Sequence, residues 1–228
     1  DGSQLTVLIL AYQVVKVPVG ELSTKPRSCN YALQFARGEL VVIYDAEDLP
    51  DPLQLMQAYQ VFLDSKLNTI CVQAKFNYYN PHQNLLTRCF TTEYTFWFDL
   101  LLPALTYWGI PLPLGGTSNH LQTRALKVMG TWDAYNVTED AELGWRLSRM
   151  GYRTVMMDSY TLEEANSQTW NWIRQRTRWQ KGFLLTLLVH LRKPLQLIRD
   201  LGLTGAIMSA LLFSTTAVLP IINVVLWS

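Results

Sequence analysis

From Leu201 to Trp227 the chain carries no charged side chain, and no other feature limits its possible surroundings as sharply. At about 1.5 Å of rise per residue, roughly 20 helical residues cross a hydrocarbon core of ~30 Å, so the run is long enough to span a bilayer. Gly202, Gly205, Pro220 and Asn223 interrupt it, and membrane helices tolerate such residues better than soluble helices do. A long buried core helix is the competing reading, and the weaker one on length. Arg192, Lys193 and Arg199 stand just before the run. Because basic residues gather on the inner side of a membrane, the preceding region is expected in the cytoplasm.

That preceding region alternates strand-like and helix-like segments. Two short β-rich runs in "QLTVLILAYQVVKV" lead to a turn-rich loop and the helical "CNYALQFA", which Gly38 ends. "ELVVIYDAED" is an apolar run stopping abruptly in acid, the form of a buried parallel strand delivering polar groups to the edge of a sheet. A helix follows with Asp51 as N-cap and Pro52 in its first turn, then the strand "TICVQAKF". This order predicts an α/β fold with right-handed crossovers. "LTRCFTTEYTFWFDLLLPALTYWGI" predicts an aromatic helix broken near Pro103 and Gly109. "LGGTSNH" predicts a turn and short strand, "YRTVMMDSY" a further strand, and "SQTWNWIRQRTRWQKGFLLTLLVHLRKP" a long helix suited by its arginines and tryptophans to a headgroup layer.

Composition excludes several functions. A net charge of +1 over 228 residues lacks the basic excess of a nucleic-acid surface, so no nucleic-acid partner is expected. Cys29, Cys71 and Cys89 are odd in number and scattered, which fits a reducing compartment better than a disulfide framework. His82, His120 and His190 show no zinc-ligand spacing. No signal peptide is visible. The first residue is Asp1 and the sequence stops within one apolar span, so an excerpt from a longer protein is expected.

Three stretches carry chemistry. Asp45, Glu47 and Asp48 follow the acidic strand closely enough to converge on one hard divalent cation, although a solvated turn would use the same residues. In "QRTRW", Gln175, Arg178 and Trp179 fall at i, i+3 and i+4. They share a helix face that could hold a sugar ring and a phosphate, or simply anchor the helix at an interface, while Arg176 and Thr177 point elsewhere. In "NVTEDAELGW", Thr138 is a candidate N-cap, and Glu139, Asp140 and Glu142 would favour the positive end of a helix that Gly151 closes. The "NVT" sequon at Asn136 is a frequent chance match.

Together, "DAED", "TED" and "QRTRW", in this order and followed by an apolar helix, resemble the family 2 glycosyltransferases of the cellulose synthase and hyaluronan synthase type, whose motifs are DxD, TED and QxxRW. "TKPRSCNYAL" and "LGGTSNH" fit two further family segments. The resemblance runs from Lys25 through the apolar span. It implies a GT-A-like, Rossmann-like mixed sheet with flanking helices, and a metal site at Asp45 and Glu47 with Asp48 in reserve, holding Mg2+ or Mn2+. It implies Asp140 as general base beside Glu139. Lys25, Asn30, Gln175, Arg178 and Trp179 would bind the nucleotide sugar and its diphosphate, and Gly116, Thr117, Ser118 and Trp179 the acceptor. The implied reaction is inverting transfer from a nucleotide sugar, expected to be UDP-linked, to a growing polysaccharide. Transfer of one sugar to a lipid-linked acceptor, or an inactive membrane scaffold, are the alternatives. The sequence lacks most of the family's opening strand and nucleobase-binding aspartates. The expected organisation is a cytoplasmic domain over 1–167, incomplete at its N-terminus, an amphipathic interfacial region over 168–200, and a transmembrane helix over 201–228 in the plasma (inner) membrane.

Overall fold

The computed structural model describes residues 13–218. The first strand-like run up to residue 12, Asp1, and the end of the apolar span from residue 219 lie outside the described residues.

Helix α1 (Lys25–Leu33) precedes β1 (Leu40–Ile43), the two-residue β2 (Leu49–Pro50), α2 (Gln54–Asp64) and β3 (Thr69–Tyr78). α1 stops at Gln34, short of the expected end at Gly38. α2 begins at Gln54 rather than at Pro52. Asp51 instead shapes the turn before it, its carboxylate accepting from Leu53 N–H at 2.8 Å. Beyond β3 come α3 (Leu85–Thr95), a π-helical stretch (Phe96–Leu101), α4 (Leu102–Trp108), β4 (Asn119–Gln122), α5 (Thr123–Val128), α6 (Glu139–Arg149), β5 (Arg153–Glu163), α7 (Thr169–Leu191) and α8 (Pro194–Ala217).

The sheet order is β1-β4-β3-β5-β2. β3 and β5 are parallel, but β4 enters antiparallel between β1 and β3, with His120 opposite Val42 on one side and Val72 on the other. β1 therefore departs from expectation. It runs antiparallel to its neighbour β4, lies at the edge of the described sheet, and is half-buried throughout. β3 is the buried centre, with Cys71, Val72, Gln73 and Ala74 fully enclosed.

The aromatic helix changes register near Pro103, as expected: the π-helical stretch ends at Leu101, and Pro103 sits in the first turn of α4 that continues from it. Gly109, at φ 68°, ends it as expected. Phe76, Tyr78, Phe90, Tyr94 and Phe98 pack edge to face and tilted between this helix and β3.

α6 meets neighbours on nearly every side. A Cβ on Gly144 would stand 2.0 Å from the Leu112 carbonyl, so backbone packs directly on backbone there. Trp145 is sandwiched between His190 of α7, stacked at 4.4 Å, and Phe213 of α8, also at 4.4 Å. Glu142 is the expected first-turn charge of α6, and it is buried. It pairs with Arg146, whose Nε donates at 3.0 Å, and Arg149 of the same helix pairs with Asp200 of α8 at 2.8 Å. α8 starts before the uncharged run and holds Arg199 and Asp200 in its first two turns. Gly202, at φ 71°, then kinks it. By length and composition it is apolar enough to cross a membrane, and most of its apolar stretch is not buried against the rest of the protein.

Candidate active site

β1 ends where its sequence turns acidic, and three other segments close on that point. Lys25, at the start of α1, pairs with Asp45, and its ammonium donates to the Gly116 carbonyl at 2.8 Å. Burial works against the charge on Lys25, but Asp45 outweighs it and the pKa is raised. Asp48 folds back so that Oδ2 accepts from Asp45 N–H at 2.6 Å and from the Thr117 hydroxyl. Its other oxygen, Oδ1, is buried and without a partner. Burial raises the Asp48 pKa. Glu47 is exposed.

The loop before β4 is held from below by Gln73, a fully buried amide in β3. Its Oε1 accepts from Gly115 N–H and its Nε2 donates to the Thr117 carbonyl, both at 2.9 Å. Gln73 escaped the motif reading. The available signal was one amide inside the apolar strand "TICVQAKF". Thr117 and Ser118, expected to face the acceptor, are buried, and their hydroxyls are engaged inside the protein. Thr117 bonds to Asp48, and Ser118 donates to Thr161 at 2.6 Å. Ser118 also holds a left-handed backbone, φ 58°, which a non-glycine residue adopts only when its surroundings enforce it. Only Gly116 is left exposed in this turn.

Gly116 lies directly against Asp140, for a Cβ there would stand 3.3 Å from Asp140 Oδ2. Asp140 occupies the first turn of α6, and Ala141 N–H donates to its Oδ1 at 2.8 Å. Burial and the neighbouring Glu139 charge push its carboxyl up to about 7. Burial also raises Glu139. Thr138 stands in the N-cap position, but its side chain does not cap the helix. Its hydroxyl donates instead to Asn136 Oδ1 at 3.3 Å. Asn136 is buried and donates to Thr186 of α7 at 2.8 Å, so the sequon asparagine is a structural tie.

α7 brings the last motif to this point because Gly182 lets it approach. A Cβ there would stand 2.4 Å from Thr138 Oγ1. Gln175 Oε1 accepts from Asn166 at 2.9 Å, Arg178 is exposed, and Trp179 is half-buried against Phe90 and Tyr94. Asn30, expected near the nucleotide, instead spends its amide on Trp132, donating to the carbonyl at 2.7 Å and accepting from N–H at 3.0 Å. Beside Glu47 and Gln175 lies a cavity of about 480 Å3, also lined by Glu163, Glu164, Gln168 and Asn171. Burial, then the charges of Asp48, Glu47 and Asp45, push Glu163 up to about 7. This carboxylate, too, was missed by motif. A larger cavity of about 660 Å3 opens by Gly38, Glu39 and Lys127 at the far end of β1, away from every motif.

Among the described residues no three acidic, imidazole or thiol side chains gather as a metal set. The acids after β1 therefore do not all converge. Asp48 Oδ1, buried and unpartnered beside Asp45, is nevertheless the kind of hard oxygen a divalent cation takes. With at most two carboxylates from the described residues, the rest of the shell would fall to ligand phosphate and water, as Mg2+ prefers.

The family model for glycosyl transferase family group 2 matches residues 40–228. The chain belongs to that family. This family 2 chain is 27% identical over 175 residues to the probable glycosyltransferase YdaM of Bacillus subtilis, covering 74% of the chain and 40% of YdaM. It is 25% identical over 167 residues to the UDP-forming cellulose synthase 1 catalytic subunit of Komagataeibacter xylinus, covering 70% of the chain and 22% of that protein. The chain thus spans well under half of the length of either relative. The solved mannosyltransferase PcManGT from Pyrobaculum calidifontis, in complex with GDP-Man and Mn2+, superposes with a TM-score of 0.56 over 84% of this chain and 53% of its own, at 17% identity. That likeness establishes a GT-A-like glycosyltransferase fold.

Proposed function

We propose that this chain is part of a membrane-bound, inverting glycosyltransferase that moves a sugar from a UDP-linked donor to a growing polysaccharide. The observation that carries the reading is the junction of Lys25, Asp45, Gly116 and Asp140, four residues from four segments closing on the end of β1. Asp140 takes the proton from the acceptor hydroxyl. Its pKa near 7 matches the working pH of a general base, the point at which the product of ionised fraction and drive for transfer is greatest. A single base on the acceptor face, opposite the departing diphosphate, gives inversion through an oxocarbenium-like transition state. Trp179 offers an aromatic face to the acceptor ring, with Gly116 leaving room beside Asp140. Lys25, Gln175 and Arg178 hold the diphosphate and balance the charge that develops on it. Asp45, with Glu47 or Asp48, would hold Mg2+ or Mn2+, which when bound neutralises the leaving diphosphate. Asn30, Thr117 and Ser118 serve the same site by fixing the backbone around it.

The apolar α8 supports membrane attachment, and the basic residues Arg192, Lys193 and Arg199 before its uncharged run favour a catalytic region on the cytoplasmic face of the plasma (inner) membrane. The cellulose synthase relative is named as UDP-forming, and the solved neighbour holds GDP-Man. A donor panel therefore decides the nucleotide. The test uses the full-length protein in detergent with UDP-glucose, UDP-N-acetylglucosamine and GDP-mannose. Nucleoside diphosphate release should need a divalent cation, and Asp140→Asn should abolish transfer while leaving nucleotide binding intact. Turnover that survives this substitution removes Asp140 as the base.

A further inference from the structure

"QRTRW" contains two arginines, and only Arg178 shares a helix face with Gln175. Arg176 lies on another stripe of α7, turned toward α3. Its guanidinium stands 4.7 Å from the ring centroid of Phe90, 5.3 Å from that of Trp172 and 5.1 Å from that of Trp179, all within cation–π range. Both terminal nitrogens donate to the two carboxylate oxygens of Glu93, a bidentate pair that fixes the plane of the fork. Trp172, Arg176 and Trp179 fall at i, i+4 and i+7 on α7, and Phe90, Glu93 and Tyr94 at i, i+3 and i+4 on α3, so two helical stripes interlock around one cation. Trp179 touches the same α3 residues, with its ring 6.1 Å from Phe90 and 6.4 Å from Tyr94.

We infer that Arg176, oriented by Glu93, is a positioning residue that fixes the ring plane of Trp179 and so sets how the acceptor sugar is held. This rests on the acceptor role proposed for Trp179. The aromatic walls on α3 contact Trp179 through tilted rings, which alone permit the indole to rock. The guanidinium over the indole, itself held by a carboxylate on the other helix, removes that freedom. Lysine cannot substitute, because a point charge on a flexible stem neither stacks nor pairs bidentately.

The test compares wild type with Arg176→Met, Arg176→Lys and Glu93→Gln in the full-length, detergent-purified protein. Three quantities are read: KM for an acceptor oligosaccharide, nucleoside diphosphate release to water without acceptor, and tryptophan emission with and without a Trp179→Phe background. The expected result is an acceptor KM raised roughly tenfold, as loss of a contact of this class implies. Acceptor-free release should stay within about twofold, and the emission shift should vanish in the Trp179→Phe background. An unchanged acceptor KM, or a parallel fall in acceptor-free release and thermal midpoint, overturns the inference and leaves Arg176 a purely structural residue. If the wild type releases nothing from any nucleotide sugar, it is the glycosyl-transfer reading that fails. The emission measurement still decides whether Arg176 orients Trp179.

Discussion

Gly182 is where the geometry predicts the largest functional loss for the smallest change. A methyl group at that position would stand 2.4 Å from Thr138 Oγ1, 2.6 Å from Cγ2 and 2.9 Å from Cβ. Thr138 cannot swing aside. It is buried, short and β-branched, and its hydroxyl is tied to Asn136, which is tied in turn to Thr186. Ordinary contact begins near 3.4 Å, so α7 must back away from α6 by about 1 Å. Overpacking of this kind costs about 1–3 kcal/mol. The better helix propensity of alanine returns about 1 kcal/mol, leaving a net loss of roughly 0–2 kcal/mol. The same 1 Å separates Gln175, Arg178 and Trp179 from Asp140, and a displacement of that size costs on the order of 100-fold in rate. Gly182→Ala should therefore lose about 100-fold in kcat/KM while its Tm falls by only a few degrees, measured by transfer kinetics and thermal unfolding on one preparation. Thr138→Ala removes two of the three close atoms. Alone it should cost less, and combined with Gly182→Ala it should recover part of the activity, a coupling that a double-mutant cycle detects. A Gly182→Ala enzyme of near wild-type activity, or a double variant no better than the single, would refute the reasoning.

Two further outcomes are expected. Because Asp140 titrates near 7, kcat/KM should rise with pH through about 7, and Glu139→Gln should move that limb to lower pH by removing the adjacent negative charge. The fold favours protonated Asp140, so the stability this contributes is present at low pH and lost as pH climbs from the ordinary aspartate range through about 7. Asp140→Asn should accordingly melt higher than wild type above pH 7, and an acid limb unmoved by Glu139→Gln would reject the coupling. Asn30→Ala should cost about 1–3 kcal/mol in denaturant unfolding, since it strands the N–H and carbonyl of buried Trp132, while donor KM changes little. A raised donor KM at unchanged stability would return Asn30 to the nucleotide site.

Much of the site was legible because its motifs fall at element boundaries that local chemistry marks: an apolar strand ending in Asp45, an acidic first turn at Asp140, a helical face at Gln175 and Arg178. What sequence could not supply was the third dimension of each hydrogen bond. Asn30, Thr117 and Ser118 look like ligand residues by spacing, yet their polar atoms are satisfied within the protein by partners such as Trp132, Asp48 and Thr161, far away in the chain. Periodicity likewise found β1 and β4, but it carries no information on order. The antiparallel entry of β4 between β1 and β3 follows from long-range pairing alone. Glu142 is the converse case. Its place in the first turn of α6 is as expected, but its burial, beside Arg146 and His190 of α7, was not legible in the sequence.

Trp145, on the helix that carries Asp140, lies between His190 of α7 and Phe213 of α8, so the helix able to cross a bilayer bears directly on the helix of Asp140. With α8 in a membrane, as proposed, Phe213, beyond the Gly202 kink, would tie the span directly to the helix of Asp140 and set the elevation of the site above the lipid. A change in the tilt of α8 to match hydrocarbon thickness would then press on α6 through that contact. Bilayer thickness would become a variable that reaches the proposed proton acceptor, and lipids of graded chain length would provide a means of adjusting it.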